Sequence, residues 1–281
     1  MPTDTDAPGG FADFLLAAGL DEDIAVVDAA GRYTYLELRE AVQRLVLRLD
    51  GLGLEVGARI AVLGPNSFFW VAAYLAVLKV GVVVPLSDKL SAEELSAQAE
   101  WTDCVAVMID QRLVRRVGDA FGARPVITQA DLREDAGEVR PARVVEPGAD
   151  AAMILTSGTT SEPKAVRLTH ANLLANTRSI VSYLGLDRSD RMLVILPLHY
   201  CYGASLLHTH LSVGASIVLC NTFAFPQTAV DLIEREGCTG FAGVPSTFQL
   251  LMRASSYPHR KLASLRLVQQ AGGRLAPEMI Q

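Results

Sequence analysis

The sequence has few cysteines, no excess of basic residues and no basic residue near its start. The four cysteines, Cys104, Cys201, Cys220 and Cys238, form no Cys-x-x-Cys pair. This spacing gives no disulfide framework and favours buried free thiols in the reducing cytoplasm. The net charge of −6 excludes binding to nucleic acid or to an anionic membrane surface as the main function, because both require clustered Lys and Arg.

The N-terminal region carries several acidic residues before its first basic one, Arg32. A secretory signal needs a basic start and a transit peptide needs arginines with few acids, so neither is expected. The apolar stretch 68–86 is long enough to suggest a membrane span. Instead, Ser67 as a cap, Lys79 within the stretch and Gly81 as a helix end predict a helix followed by a buried strand.

The pattern of apolar residues indicates an α/β chain. Its 281 residues, half of them hydrophobic, fit one large domain or two closely packed subdomains. Thr34 and Glu37 form a capping-box pattern, and predicted helices and strands alternate after it. This alternation predicts a layered α/β sandwich of mostly parallel sheets with helices on the faces. The charged stretch 129–150, with two prolines, is interpreted as an exposed connector.

Apolar alternation resumes after this connector and gives the remaining elements. The predicted strands are 151–155, 192–196, 216–220, 241–244 and 265–269. The helices between them are predicted to begin near Thr169, Ala204, Pro226 and Ser246. Asn172 supports the cap at Thr169, because it stands three residues further on.

The segment 155–166 (LTSGTTSEPKAV) carries hydroxyl residues, a glycine and a lysine between two predicted strands. Gly158 lets backbone N–H groups point inward, and Lys164 supplies a mobile positive charge. These features predict a polyphosphate-binding loop formed by Thr156, Ser157, Gly158, Thr159, Thr160 and Lys164. An ordinary Ser/Thr-rich turn is the alternative that composition alone leaves open. The segment is not a Walker A loop, because Pro163 precedes the lysine and no Gly-Lys-Ser/Thr opens a helix.

The full pattern resembles the phosphate loop of the adenylate-forming superfamily, which includes acyl-CoA synthetases, aryl-acid ligases, luciferases and peptide-synthetase adenylation domains. The family string Thr-Ser-Gly-Thr-Thr-Gly-x-Pro-Lys-Gly stands here with Ser161 and Ala165 in place of two glycines, and residues 169–172 follow like the family's Thr-His-x-Asn. Other segments resemble family motifs in the same order: 33–67, 73–86, 196–203, 241–252 and 267–279. The resemblance covers about residues 24–281.

The resemblance implies that residues 1–281 are part of the large N-terminal domain of such an enzyme. The family's adenine motif, ribose-binding Asp, hinge and C-terminal domain with its catalytic Lys are absent, so the catalytic residue is unassigned and the fragment alone is expected to be inactive. The implied reaction uses ATP to convert a carboxylic acid into an acyl-adenylate. The acyl group then passes to the thiol of CoA or of phosphopantetheine on an acyl or peptidyl carrier protein. Mg²⁺ would neutralise the triphosphate, with ligands mostly outside this chain.

The resemblance also implies an acyl pocket formed by His199, Tyr200, Gly203, Val244, Gly272 and Gly273. His199 and Tyr200 are expected in its wall, with core packing beside Pro197 as the alternative. No Asp or Glu occurs between residues 192 and 230. A buried substrate ammonium needs a charged partner, so this absence favours a fatty, aryl or other non-amino acid. Asp231, or a carboxylate outside this chain, would reverse that preference by supplying the partner.

Two other functions are weighed against this interpretation. A P-loop NTPase or kinase would require Gly-Lys-Ser/Thr and a Walker B Asp, and the sequence shows no such pairing. A non-catalytic nucleotide- or partner-binding module derived from the same fold would accommodate the altered glycines, Ser161 and Ala165. No metal site is expected, because His208 and His210 are two residues apart on a predicted helix and do not share a face.

Overall fold

The computed structural model describes residues 10–133, 145–156 and 164–275. Within these ranges the chain forms two six-stranded sheets, A and B, with helices packed on them. The strands are β1 Ile24–Val27, β2 Arg32–Thr34, β3 Arg59–Leu63, β4 Val82–Leu86, β5 Cys104–Ile109, β6 Val126–Ile127, β7 Asp150–Thr156, β8 Lys164–Thr169, β9 Arg191–Val194, β10 Ser216–Leu219, β11 Gly240–Gly243 and β12 Leu267–Gln270. The helices are α1 Phe11–Ala17, α2 Tyr35–Asp50, α3 Phe68–Val80, α4 Ala92–Trp101, α5 Gln111–Val117, α6 His170–Leu184, α7 Cys201–Ser212, α8 Pro226–Glu236 and α9 Pro245–Ala254.

The strand order is β12-β11-β9-β10-β1-β2 in sheet A and β6-β5-β3-β4-β7-β8 in sheet B. Neighbouring strands are parallel except in the antiparallel pairs β1–β2 and β7–β8. Parallel strands end at the same edge of a sheet, so the loops that follow them gather there, where α/β proteins bind ligands. The predicted fold class is confirmed.

Local signals in the sequence set the helix boundaries. The hydroxyl of Thr34 accepts a hydrogen bond from the backbone N–H of Glu37 at 3.2 Å, and the Glu37 carboxylate accepts one from the N–H of Thr34 at 2.7 Å. This is the predicted capping box at the start of α2. Ser67 caps α3 by accepting from the N–H of Trp70 at 3.2 Å, and Gly81 ends that helix.

The apolar stretch 68–86 forms the centre of the core. Every residue of α3 from Phe69 to Leu78 is buried, and these residues share one cluster with Val26 of sheet A and Ile60 of sheet B. Helix α3 therefore lies between the two sheets. Of the helices in the described ranges, none has both the length and the apolar character that crossing a bilayer requires.

The charged stretch 129–150 is structured at both of its ends. Residues Gln129–Arg133 form a short 3-10 helix, in which Asp131 pairs with Arg48 of α2 at 2.8 Å and Leu132 packs against the core. At the other end, Asp150 begins β7. Residues 134–144, the middle of the predicted connector, lie outside the described residues.

Candidate nucleotide and acyl site

The predicted phosphate loop joins β7 to β8, which form an antiparallel pair. Thr156, the last residue of β7, is the direct partner of Lys164, the first residue of β8, and the Thr156 hydroxyl lies 3.4 Å from the Lys164 carbonyl oxygen. Directly opposed residues in an antiparallel pair share one face, so the hydroxyl and the ammonium group extend from the same side of the pair. Both residues are exposed. Ser157, Gly158, Thr159 and Thr160 lie outside the described residues.

This arrangement differs from a P-loop, in which the lysine opens a helix. Here Lys164 opens a strand, and Ala165, which replaces a family glycine, pairs with Leu155 across the hairpin. Leu155 and Ala165 both pack against the apolar cluster formed by sheet B. The methyl group of Ala165 therefore contributes to anchoring the base of the predicted loop.

His199 lies in the loop between β9 and α7 and is only 9% exposed. Its Nε2 atom is buried and has no hydrogen-bond partner among the described residues. Burial lowers the pKa of His199 to about 4, an effect that Asp88 opposes and Lys89 reinforces. The ring is therefore neutral at pH 7, with one nitrogen available to a ligand or a water molecule. The Tyr200 ring lies 4.3 Å from it and is half exposed.

Gly203 fixes the shape of this loop through a contact with Pro197. A Cβ atom at position 203 would lie 2.2 Å from the Pro197 carbonyl oxygen, far inside the van der Waals limit. The same carbonyl accepts a hydrogen bond from the N–H of Tyr200 at 3.2 Å. Helix α7 consequently begins at Cys201, three residues before the predicted start at Ala204, and Gly203 belongs to the first turn of the helix.

The other three positions of the expected acyl pocket lie at the same edge of sheet A. Val244 follows β11, while Gly272, at a φ of +83°, and Gly273 follow β12. A Cβ atom at Gly272 would lie 3.2 Å from Cγ1 of Val244, and one at Gly273 would lie 3.2 Å from Cγ of Pro245. Since β11 lies between β9 and β12, this group is adjacent to the loop that carries His199.

Asn66, which the sequence analysis does not single out, connects the two sheets at this edge. Its Nδ2 donates to the carbonyl of Leu196 and its Oδ1 accepts from the N–H of Leu198, both at 2.9 Å. The backbone carbonyl of Asn66 accepts from Nδ2 of Asn221 at 2.6 Å. The loops after β3, β9 and β10 are thereby tied together. The partners are 130 or more residues apart, so no local sequence signal marks them.

Two further features are missed by sequence reasoning. Asp88 and Lys89 follow β4, which is the neighbour of β7, and both act electrostatically on His199. The turn after β4 is therefore close enough to His199 to influence its charge. Tyr202 has a buried hydroxyl without a partner among the described residues, and burial, with a smaller contribution from Tyr183, raises its pKa to about 12.

Across the described ranges, no group of three or more His, Cys, Asp or Glu side chains is arranged to hold a metal ion. His208 and His210 are buried in the core. Nε2 of His208 is hydrogen-bonded to the Tyr74 hydroxyl at 2.9 Å, and Nδ1 of His210 donates to the Leu206 carbonyl at 2.9 Å. Both imidazoles thus have structural partners.

Comparison with known proteins identifies the family of the chain. Residues 16–281 match the family described as AMP-binding enzyme. The chain belongs to this family. It is 30% identical over 266 residues to a long-chain-fatty-acid–CoA ligase of Thermus thermophilus, covering 89% of this chain and 49% of the relative. It is 26% identical over 281 residues to a salicyl-AMP ligase / salicyl-S-ArCP synthetase of Mycobacterium tuberculosis, covering 91% and 50%.

Among solved structures, the AMP-binding chain resembles VinN with a TM-score of 0.87 and 27% identity, over 99% of this chain and 71% of VinN. The chain spans about half the length of the curated relatives named above. The family match includes both the β7–β8 pair and the loop that carries His199.

Proposed function

We propose that this AMP-binding chain supplies the nucleotide-phosphate and acyl sites of an acid–thiol ligase. In the complete protein, a carboxylate oxygen attacks the α-phosphate of ATP and pyrophosphate leaves. A thiol then attacks the acyl carbon of the acyl-adenylate, which gives a thioester and releases AMP. The observation that carries this proposal is the pairing of Thr156 with Lys164 on one face of the hairpin. The strand next to β7 is β4, and Asp88 and Lys89 in the turn after β4 act electrostatically on His199.

The residues of the hairpin act by position and charge. Thr156, Ser157, Thr159 and Thr160 supply hydroxyl donors, Gly158 allows close backbone approach, and Lys164 places an ammonium group against the terminal phosphates. Phosphoryl-group chemistry depends on such positioning and electrostatic stabilisation more than on covalent catalysis by the protein. Mg²⁺, when bound, neutralises phosphate charge, and most of its ligands are assigned to the nucleotide and to parts of the protein outside this chain.

On the acid side, the loop offers a neutral imidazole and no carboxylate. The segment between residues 192 and 230 contains no Asp or Glu, and Asp231 is exposed on α8, where its carboxylate accepts a hydrogen bond from Gln227 at 2.8 Å. A substrate ammonium group would therefore lack an anionic partner from this part of the chain. We accordingly favour a fatty, aryl or other non-amino acid. VinN has been solved with L-aspartate, so amino acids belong in the test.

The acceptor is the thiol of CoA or of a carrier-protein phosphopantetheine. Relatives named as ligases of both kinds support this class of acceptor. The four free cysteines fit a cytoplasmic enzyme, where the reducing environment keeps thiols free.

The test uses the full-length protein and a panel of fatty, aryl and amino acids, scored by acid-dependent exchange of pyrophosphate into ATP. Lys164→Ala should lower kcat/KM by roughly ten- to hundred-fold, because a charge-assisted hydrogen bond to phosphate is lost. Lys261→Ala, at another exposed lysine, is the matched control and should retain wild-type exchange. Exchange with no acid of the panel, or wild-type kinetics in Lys164→Ala, would refute the proposal.

A further inference from the structure

We propose that Asn66 is a positioning residue for the acyl pocket: it clamps the loops after β9 and β10 to the loop after β3 and thereby holds His199 in the pocket wall. This inference rests on the proposed function for its catalytic consequence. Its structural part depends only on the contacts of Asn66.

The amide of Asn66 matches the backbone on both sides of Pro197. Pro197 has no N–H, and the two neighbouring polar groups that face Asn66 are the carbonyl of Leu196 and the N–H of Leu198. A side-chain amide offers both N–H donors and a carbonyl acceptor, so it satisfies both groups as a neighbouring strand would. A carboxylate would satisfy only the N–H, and an aliphatic side chain would satisfy neither.

The clamp is itself fixed on both sides. The N–H of Phe68 donates to Asp28 at 2.9 Å, and α3, which begins there, is buried between the sheets. Asn221 holds the Asn66 carbonyl from the loop after β10. The loop that contains Asn66 therefore joins rigid elements of both sheets.

His199 occupies the short segment that this clamp immobilises. On its N-terminal side, Leu198 is held by Asn66 and has its side chain in the core. On its C-terminal side, Tyr200 is hydrogen-bonded to the Pro197 carbonyl, against which Gly203 packs. Release of Leu196 and Leu198 would free the whole turn, and His199 would then gain access to water.

The structural test is a pH titration of the histidine side chains of this chain, followed by the NMR chemical shifts of their ring carbons. The His199 signal is assigned as the one missing from the spectrum of His199→Gln. In Asn66→Ala the midpoint of His199 should rise from about 4 toward the value of a solvated imidazole, about 6.5. The change is read between pH 7.5 and about pH 6, where little stability is lost: the wild-type ring stays neutral there, and the Asn66→Ala ring begins to protonate. Thr34→Ala is the control, because it removes the cap of α2 at the opposite edge of sheet A and should leave the His199 midpoint in place. An unchanged midpoint in Asn66→Ala would overturn the proposal.

If Asn66→Ala does not fold, Asn221→Ala decides the question. That variant keeps the Asn66 amide and removes only the hydrogen bond to its carbonyl, so a smaller shift of His199 in the same direction is expected. No shift would again overturn the proposal.

The functional test measures KM and kcat in the full-length enzyme. Asn66→Ala should raise KM for the acid roughly ten-fold or more while KM for ATP changes little, since the loss of correctly paired backbone groups affects the acyl side. Asn66→Asp, which keeps the acceptor for Leu198, should fall between wild type and Asn66→Ala. A shifted His199 midpoint with an unchanged KM for the acid would contradict the positioning role.

The two readouts separate this inference from the proposed function. A shifted His199 midpoint in a protein that exchanges pyrophosphate with no acid would leave the clamp standing and refute the proposed function. Active wild-type enzyme with an unaltered His199 midpoint in Asn66→Ala would support the proposed function and refute the clamp.

Discussion

Four buried imidazoles, those of His170, His199, His208 and His210, make the stability of this chain sensitive to mild acid. Burial lowers the pKa of His199 to about 4, that of His208 to about 3 and that of His210 to about 4, and it also lowers the pKa of His170. In the unfolded chain each pKa returns to about 6.5. Between these values the unfolded state binds more protons than the folded state, so the free energy of unfolding rises with pH there. It should be constant above about pH 7 and fall as the pH drops from about 6.5 toward 4.

The size of this effect follows from the pKa differences. His199, His208 and His210 each lower the free energy of unfolding by roughly 2 kcal/mol between pH 7.5 and pH 5, about 6 kcal/mol together, and His170 acts in the same direction. A domain is typically stable by about 5–15 kcal/mol, so much of the total is lost. Two carboxylates affect stability at lower pH. Burial raises the pKa values of Asp110 and Asp190, yet hydrogen bonds from Arg112 and Arg266 oppose this effect and keep both below 3.8. Stability from these carboxylates is present above about pH 4 and lost below it.

Urea unfolding followed by circular dichroism at several pH values between 7.5 and 5 measures this dependence. His208→Gln should remove about 2 kcal/mol of the pH-dependent loss, whatever it does to stability at pH 7.5. His259→Gln removes an exposed imidazole and is the matched control. A wild-type free energy of unfolding that stays constant down to pH 5 would refute the reasoning, as would a His208→Gln slope equal to that of wild type.

Two other substitutions test contacts on either side of sheet A. Gly203→Ala should destabilise the chain by about 1–3 kcal/mol in thermal unfolding, because its Cβ would clash with the Pro197 carbonyl, although alanine normally favours a helix over glycine. Gly148→Ala, at an open position, is the control. A stabilised Gly203→Ala variant would contradict the contact. Asp190→Ala should lower the free energy of unfolding by about 2–4 kcal/mol at pH 7.5, measured with urea. The buried Asp190 carboxylate accepts hydrogen bonds from Thr239 at 2.7 Å and from Arg266 at 2.8 Å, and both are lost. An unchanged unfolding midpoint would show that this network contributes nothing.

Features with a short-range cause could be predicted from the sequence. The capping boxes at Thr34 and Thr169 are present, the latter closed by Asn172, and Ser67 caps α3. Each depends on residues three positions apart, which a single sequence displays directly. The alternation of apolar segments likewise gave the correct fold class, because parallel sheets buried on both faces need continuous apolar strands separated by helices. Recognition of the family depended on segments distributed along the whole chain.

Features that depend on a contact made only in the folded chain could not be predicted. The early start of α7 follows from the contact of Gly203 with a carbonyl six residues before it. Glycine has a low helix propensity, so Gly203 by itself argues against a helix at this position. The order of strands in the two sheets depends on pairings across the chain. Six candidate pocket positions were placed by resemblance, and the structure brings them to one edge of sheet A in two groups.

The role of Asn66 shows why the residue that organises a site can be harder to read than the residues that line it. Residues that line a pocket can be recognised by their chemical type, such as an imidazole in a loop or glycines in a turn. Asn66 lies in a Gly-Pro-Asn-Ser sequence, which is typical of a turn, and that local interpretation is correct as far as it goes. Its side chain nevertheless forms hydrogen bonds with the backbone of the loop after β9, which belongs to the other sheet. Buried backbone groups must find partners, and only the folded chain shows that in this irregular loop a distant side chain supplies them.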